Sequence, residues 1–345
     1  MTPKALPTLL IVTPYLAGAN NGNWRTAERW ARLLQSHCRV IVQDAVAGAA
    51  ARDAHCLIAL HARRSHPAIV EWQSQKPARP LIVALTGTDL YRDLPAGDAD
   101  AHDSLARADA LIVLQPDALR HLPDAHRGKA HVVMQSARSL KPSVKPESRL
   151  NCVMVGHLRE EKDPSTALDA WRQLPREAPI FLRHIGGALD PALGNQARDF
   201  MLRESRYRWL GSLPHPTTRQ WIKRAHLLLL PSIMEGGANV VVEALTAGTP
   251  VIGSRMSGNV GMLGDDYPGL FPVGDSRALA ALLMRCQNEP RFLRRLDTWC
   301  RRRAPSFSPA SERRALLGVV RDSLQGTALP ERLHPSIETP SGRIA

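Results

Sequence analysis

Aromatic residues are scarce in this 345-residue chain, where Phe, Trp and Tyr together make up 5%. No segment interleaves stacking rings with basic residues as RNA- and DNA-binding motifs do, which sets nucleic acid far behind as a partner. The charge needs another explanation, because 45 Lys and Arg against 32 Asp and Glu leave a net +13. Such an excess attracts anions through its long-range field, and phosphorylated small molecules satisfy it as well as a polynucleotide does. No apolar run approaches the roughly 20 residues that span a bilayer, and Met1 to Val12 lacks the apolar core and small-residue cleavage site of a secretion signal. The expectation is a cytoplasmic protein that does not engage a membrane. Cys38, Cys56, Cys152, Cys286 and Cys300 are odd in number and form no CxxC pair, so they read as buried, reduced thiols. The run Arg291, Arg294, Arg295, Arg301, Arg302, Arg303 reads as a solvated helix face.

At 44% apolar and 22% charged residues, the chain has the balance and length for two cores. Short apolar runs alternate with longer segments of helical period, the pattern of parallel βαβ units covered on both faces. Strands are predicted at 9–13, 40–42, 57–60, 81–85, 111–114 and 131–134, then at 152–155, 180–185, 207–210, 227–230, 250–252 and 270–271. Between the two sets, Lys141 to Ser148 is polar, holds Pro142 and Pro146 and has no periodicity, which reads as a linker. The expected class is α/β, with doubly wound sheets in residues 1–140 and 149–305, a closing helix over 306–325 that returns to the first domain, and a polar, poorly ordered tail over 326–345. Ligands bind outside the carboxyl ends of such strands, so the chemistry belongs in the cleft between the domains.

The most specific signal is Leu230 to Ile252. A strand leads into a loop with Glu235, then Gly236, Gly237, Ala238 and Asn239, then a helix carrying Glu243, then Gly248-Thr249-Pro250 before the next strand. Glycines let backbone amides approach a ligand, and the helix N-terminus behind them supplies partial positive charge for a phosphate. Glu235 and Glu243 lie eight residues apart, about 12 Å if the whole span were helical at ~1.5 Å per residue. A glycosidase pair needs roughly 5 to 9.5 Å, so two separate binding roles fit better than an acid and its base. Spacing alone is equally compatible with two solvated glutamates on a surface helix.

The string over 230–254 resembles glycosyltransferase family 4, whose retaining members carry a Glu, seven residues, Glu motif before a Gly and a Pro-Val strand. The resemblance implies the GT-B fold, contact of Glu235 with the donor sugar and of Glu243 with the ribose hydroxyls. It also implies contact of the amides of Gly236 to Asn239 with sugar and diphosphate. Gly156-His157-Leu158-Arg159-Glu160-Glu161-Lys162 is similar to the same family's Gly-Arg-Leu-x-x-Glu-Lys segment. Lys162 then neutralises the leaving diphosphate, with either His157 or Arg159 as its basic companion. Asn21-Gly22 occupies the place of the family's Gly-Gly loop, ahead of an amphipathic helix with Trp30, Leu33 and Leu34 on one face; Asn tolerates the left-handed turn.

Two further clusters follow strands of the first domain: His61-Ala62-Arg63-Arg64-Ser65 and Thr86-Gly87-Thr88-Asp89-Leu90-Tyr91-Arg92. Family members place a His here against the donor sugar, which makes His61 either that contact or a satisfied core residue. Thr86, Thr88, Arg25, Arg63, Arg64 and Arg92 would line an anion-friendly acceptor side. Taken with Asn20 to Arg25 and Ser257 to Gly264, these segments are similar to the selenosugar synthases of selenoneine biosynthesis. That resemblance implies transfer of N-acetylglucosamine or glucose from a UDP-sugar to selenophosphate, giving a 1-seleno sugar. UDP-sugar enters as substrate and no cofactor is required. No Asp-x-Asp motif is read in the chain, so no catalytic metal is implied.

Overall fold

The computed structural model describes residues 6–14, 22–75 and 77–325. It holds two parallel six-stranded sheets. The first is built from β1 (Thr8–Val12), β2 (Arg39–Gln43), β3 (Cys56–Leu60), β4 (Leu81–Leu85), β5 (Ala110–Val113) and β6 (Ala130–Val132), in the order β2-β1-β3-β4-β5-β6. Its helices are α1 (Gly22–Leu34), α2 (Gly48–Asp53), α3 (His66–Gln75), α4 (Ala99–Arg107) and α5 (Asp124–Arg127). The second is built from β7 (Leu150–Val155), β8 (Ile180–Ile185), β9 (Tyr207–Trp209), β10 (Leu227–Leu230), β11 (Val251–Ser254) and β12 (Leu270–Phe271), in the order β12-β11-β10-β7-β8-β9. With it go α6 (Pro164–Gln173), α7 (Pro191–Arg203), α8 (His215–Arg224), α9 (Asn239–Ala247), α10 (Ser257–Leu263), α11 (Ser276–Asn288) and α12 (Pro290–Arg303).

Every β1 and β3 residue is buried, as strands covered by helices on both faces require. The sequence-predicted strand at 250–252 starts one residue later, at Val251, because Pro250 has no N–H for the ladder. The helices begin where short side chains take up their free amides: Asp163 accepts from Thr166, Asp190 from Ala192, and Asp275 from Ala278. Gly248 ends α9 at φ 71°, the left-handed geometry that makes glycine the favoured residue there.

Between β6 and β7 the chain has no helix or strand, yet it is held. Leu140 N donates to Thr246 O at 2.9 Å and Lys145 Nζ to Gly248 O at 3.3 Å, while Arg219 Nη2 reaches Arg138 O at 2.8 Å. The last helix, α13 (Pro309–Leu324), crosses back to pack on α1, placing Leu316, Val320 and Leu324 in one cluster with Ile11, Trp30 and Leu34. The five cysteines are buried and free. Among the described residues, no helix is long and apolar enough to cross a membrane.

His184 on β8 is buried beneath the end of β7. Its Nε2–H donates to Gly156 O at 3.2 Å, which leaves Nδ1 to accept the Tyr207 hydroxyl at 3.0 Å. Burial lowers its pKa from 6.5 to about 4, so the fold keeps it neutral while the unfolded chain protonates near 6.5. Its contribution to stability is therefore complete above pH 6.5 and is lost as pH falls toward 4. A His184→Gln variant is expected to lose less urea midpoint between pH 7 and pH 4.5 than the parent, followed by circular dichroism; an identical pH slope would remove His184 from the account.

Candidate active site at the domain cleft

The strand order of the second sheet reverses between β7 and β10, which run side by side with Met154 opposite Leu229. Loops leaving the carboxyl ends of those two strands diverge to opposite faces and open a crevice. From the β7 loop comes Lys162, at the end of a short 3-10 turn; from the β10 loop comes Glu235. The Lys162 ammonium contacts Glu235 Oε1, and the Ser232 hydroxyl donates to the same oxygen at 2.8 Å. Among the described residues both protein partners converge on Oε1, and Oε2 has none. The pair is largely buried, with 18% and 10% of the side chains exposed.

Four residues beyond Glu235, α9 begins at Asn239. Among the described residues no side chain caps it and its first turn holds no acid, so its partial positive charge is uncompensated and suits a phosphate. Glu243, one helical turn further, meets His215 Nε2 at 2.6 Å, whereas Glu235 meets Lys162 and Ser232. The two glutamates thus serve separate places.

The first domain meets this loop backbone to backbone. A Cβ on Gly236 would sit 2.2 Å from Thr86 O, and one on Gly87 would sit 2.9 Å from Gly236 N, so only paired glycines permit the approach. Tyr91 OH lies 3.1 Å from Ser257 Oγ and accepts from Gln115 Nε2 at 2.8 Å, which pins the β4 and β5 loops to α10. Behind them sits Asp89, fully buried, accepting the amides of Thr86, Gly87, Leu90 and Ala62 at 2.8 to 3.1 Å. It ties the β3 loop to the β4 loop. His61, between them, adopts φ 77° and is 1% exposed. Its Nδ1 accepts Arg64 N–H at 3.3 Å, so Nε2 carries the proton and donates to Thr88 Oγ1 at 2.8 Å. Burial lowers its pKa, which keeps it neutral. His61 is thus buried with both ring nitrogens hydrogen-bonded between the β3 and β4 loops.

Several expectations change. His157 is half-buried, its Nδ1 accepts Gly187 N–H at 3.0 Å, and burial lowers its pKa; a neutral imidazole offers a hydrogen bond and no charge to a diphosphate. Arg159 lies on the surface 3.8 Å from Glu161. The arginines expected to favour an anionic acceptor face carboxylates instead: Arg25 meets Glu28 at 3.6 Å, Arg63 meets Asp93 at 3.4 Å, and Arg92 lies 3.2 Å from Asp93 and 3.7 Å from Glu161 of the other domain. Arg64 is exposed. Gly22 opens α1, and its carbonyl accepts the Thr26 hydroxyl at 2.9 Å; Asn21 lies outside the described residues. Arg303 is held at the Met262 and Gly261 carbonyls and leaves the solvated face to its neighbours. The chain does hold an Asp-x-Asp segment, Asp98-Ala99-Asp100, but Asp98 caps α4 and pairs with Arg63, while Asp100 pairs with His66 at 3.3 Å.

Ser232, Asp89 and His215 were not among the expected site residues. Ser232 stands three positions before Glu235 and Asp89 lies inside a flagged cluster, so both were within view; nothing in the sequence near His215 pairs it with Glu243.

Residues 136–302 match the protein family described as Glycosyl transferases group 1. The matched residues span the second sheet and most of its helices. The chain is 32% identical over 145 residues to the amylovoran biosynthesis glycosyltransferase AmsK of Erwinia amylovora, covering 39% of this chain and 35% of that one. It is 27% identical over 257 residues to a D-inositol 3-phosphate glycosyltransferase of Streptomyces bingchenggensis, covering 72% and 50%. The chain thus spans half or less of the length of these curated relatives. In structure it resembles the sucrose-phosphate synthase of Thermosynechococcus elongatus (TM-score 0.75, 17% identity, 93% of this chain and 100% of that one). It also resembles Anabaena HepE in complex with UDP-glucose (TM-score 0.70, 15% identity, 92% and 100%). The fold is GT-B: two parallel-sheet Rossmann-like domains.

Proposed function

We propose that the chain is a UDP-sugar-dependent hexosyltransferase, with residues 149–305 holding the sugar donor and residues 1–140 forming the acceptor side. The carrying observation is the convergence of Lys162, Ser232 and Glu235 beside the uncapped N-terminus of α9. The diphosphate lies at that terminus against Lys162. Glu235 Oε2 takes a sugar hydroxyl, and Glu243 takes the ribose. As the acceptor attacks the anomeric carbon, the bond from that carbon to the diphosphate oxygen breaks and UDP leaves with the electron pair. Lys162 and the helix terminus stabilise the growing negative charge, already in place before reaction. Attack on the face that UDP leaves retains the anomeric configuration without a protein nucleophile.

The finer proposal is that the hexose is N-acetylglucosamine or glucose and the acceptor selenophosphate, so that a carbon–selenium bond forms. It rests on the likeness of the first-domain segments to selenosugar synthases. A hydroxyl acceptor, on a glycan, lipid or small alcohol, is the second reading, favoured by the pairing of Arg25, Arg63 and Arg92 with carboxylates. Mass spectrometry of the purified protein with UDP-N-acetylglucosamine or UDP-glucose, with and without selenophosphate under anaerobic reducing conditions, separates them. A hexose product with the selenium isotope pattern supports the first; UDP release only with hydroxyl acceptors supports the second.

Glu243→Ala is expected to raise the Kd for the UDP-sugar about 10- to 100-fold, the worth of one or two hydrogen bonds to a charged group at roughly 1.5 to 3 kcal/mol. Isothermal calorimetry reads it directly, and an unchanged Kd would remove Glu243 from the site.

A further inference from the structure

Glu312, in the first turn of α13, is a carboxylate with only 1% exposure. Its two oxygens are occupied: Trp30 Nε1 donates at 2.8 Å, Ser136 Oγ at 2.5 Å, and Arg29 Nε at 2.9 and 3.0 Å. A buried carboxylate with that set of partners fixes where the Arg29 guanidinium stands. From there Arg29 Nη1 donates to Asn239 Oδ1 at 3.1 Å, crossing from the first domain to the first residue of α9.

That bond settles how the Asn239 amide is turned. A guanidinium has only N–H groups to offer, so the Asn239 oxygen faces Arg29 and its Nδ2 faces the other way. Nδ2 has no protein acceptor among the described residues. Its two N–H groups therefore stand without a protein acceptor at the helix terminus, where the Val241 and Val242 amides donate to Ala238 O and those of Asn239 and Val240 have no protein acceptor among the described residues.

We propose that Glu312 and Arg29 are positioning residues that aim the Asn239 side-chain amide at an anionic oxygen of the sugar donor's diphosphate. The inference rests on the donor-site reading above. It adds a hydrogen bond whose direction is set from the first domain, at a site where neutral His157 brings no charge, and it makes diphosphate binding depend on the docking of the last helix.

The test is calorimetric binding of UDP-N-acetylglucosamine and UDP-glucose to the full chain, with thermal unfolding in parallel. In Asn239→Asp the new carboxylate still accepts from Arg29 but replaces two N–H groups with negative charge. Its Kd is expected to rise about tenfold or more, as for loss of a charge-assisted hydrogen bond, with Tm unchanged or higher. Arg29→Met is expected to raise Kd severalfold alone and to add nothing in the Asn239→Ala background, because both remove one contact. Wild-type affinity in Asn239→Asp, or additive losses in the double variant, would overturn the relay while leaving the donor site standing. If the wild-type chain binds neither UDP-sugar, the donor-site reading itself falls and the relay with it.

Discussion

Replacing Lys162 with alanine is expected to lower kcat by about 10² to 10³-fold, the effect typical of removing one preorganised group from developing negative charge, roughly 2.7 to 4 kcal/mol. The ammonium is structural and electrostatic at once: it contacts Glu235 Oε1 and stands at the proposed diphosphate site. A purely structural role makes a different prediction. If Lys162 only neutralised Glu235, then Glu235→Gln would relieve the unpaired charge left by Lys162→Met, and the double variant would recover turnover. If Lys162 stabilises the leaving diphosphate, the double variant stays as slow as Lys162→Met, or slower. Steady-state kinetics on the two single variants and the double variant decides between them.

Asp89→Ala is expected to destabilise the first domain by about 3 to 5 kcal/mol. The carboxylate is fully buried and receives the amides of Ala62, Thr86, Gly87 and Leu90, and each buried N–H left without a partner costs roughly 1 to 3 kcal/mol. At about 2 to 4 °C per kcal/mol for a domain of this order of size, the midpoint falls by about 10 °C. Activity should fall below what the loss of folded protein explains, because the loop that sets His61 against Thr88 and Gly87 against Gly236 loses its anchor. Scanning calorimetry with kinetics well below the midpoint checks both parts; a midpoint within about 2 °C of the parent, or about 1 kcal/mol at most, would contradict the anchoring role.

Much of the fold is legible in the sequence because its signals are local. Leu9 to Val12 and Leu227 to Leu230 are uninterrupted apolar runs of strand length, and only a sheet covered on both faces buries such runs completely. Glu235 and the glycines behind it are legible for a related reason: a strand, a tight loop and a helix in twenty residues place a loop at the strand's carboxyl end without any knowledge of the rest. The partners that complete the site are not local. Glu312 meets Arg29 across 283 residues and Glu243 meets His215 across 28, and pairs of that kind leave no periodicity to read. The acceptor-side arginines illustrate the same limit. Arg63 and Arg92 look free in sequence, yet the fold brings Asp93, Asp98 and Glu161 to them. His157 is the converse case, a basic residue by type that burial and the Gly187 amide hold neutral.

The donor site is the centre of the account, and it is tested most directly by titrating UDP, UDP-glucose and UDP-N-acetylglucosamine into the wild-type chain and into Glu243→Ala by calorimetry. The account predicts saturable one-site binding of at least one UDP-sugar to the wild type and clear weakening in the variant. Absence of binding by all three, or equal binding to both proteins, would contradict it.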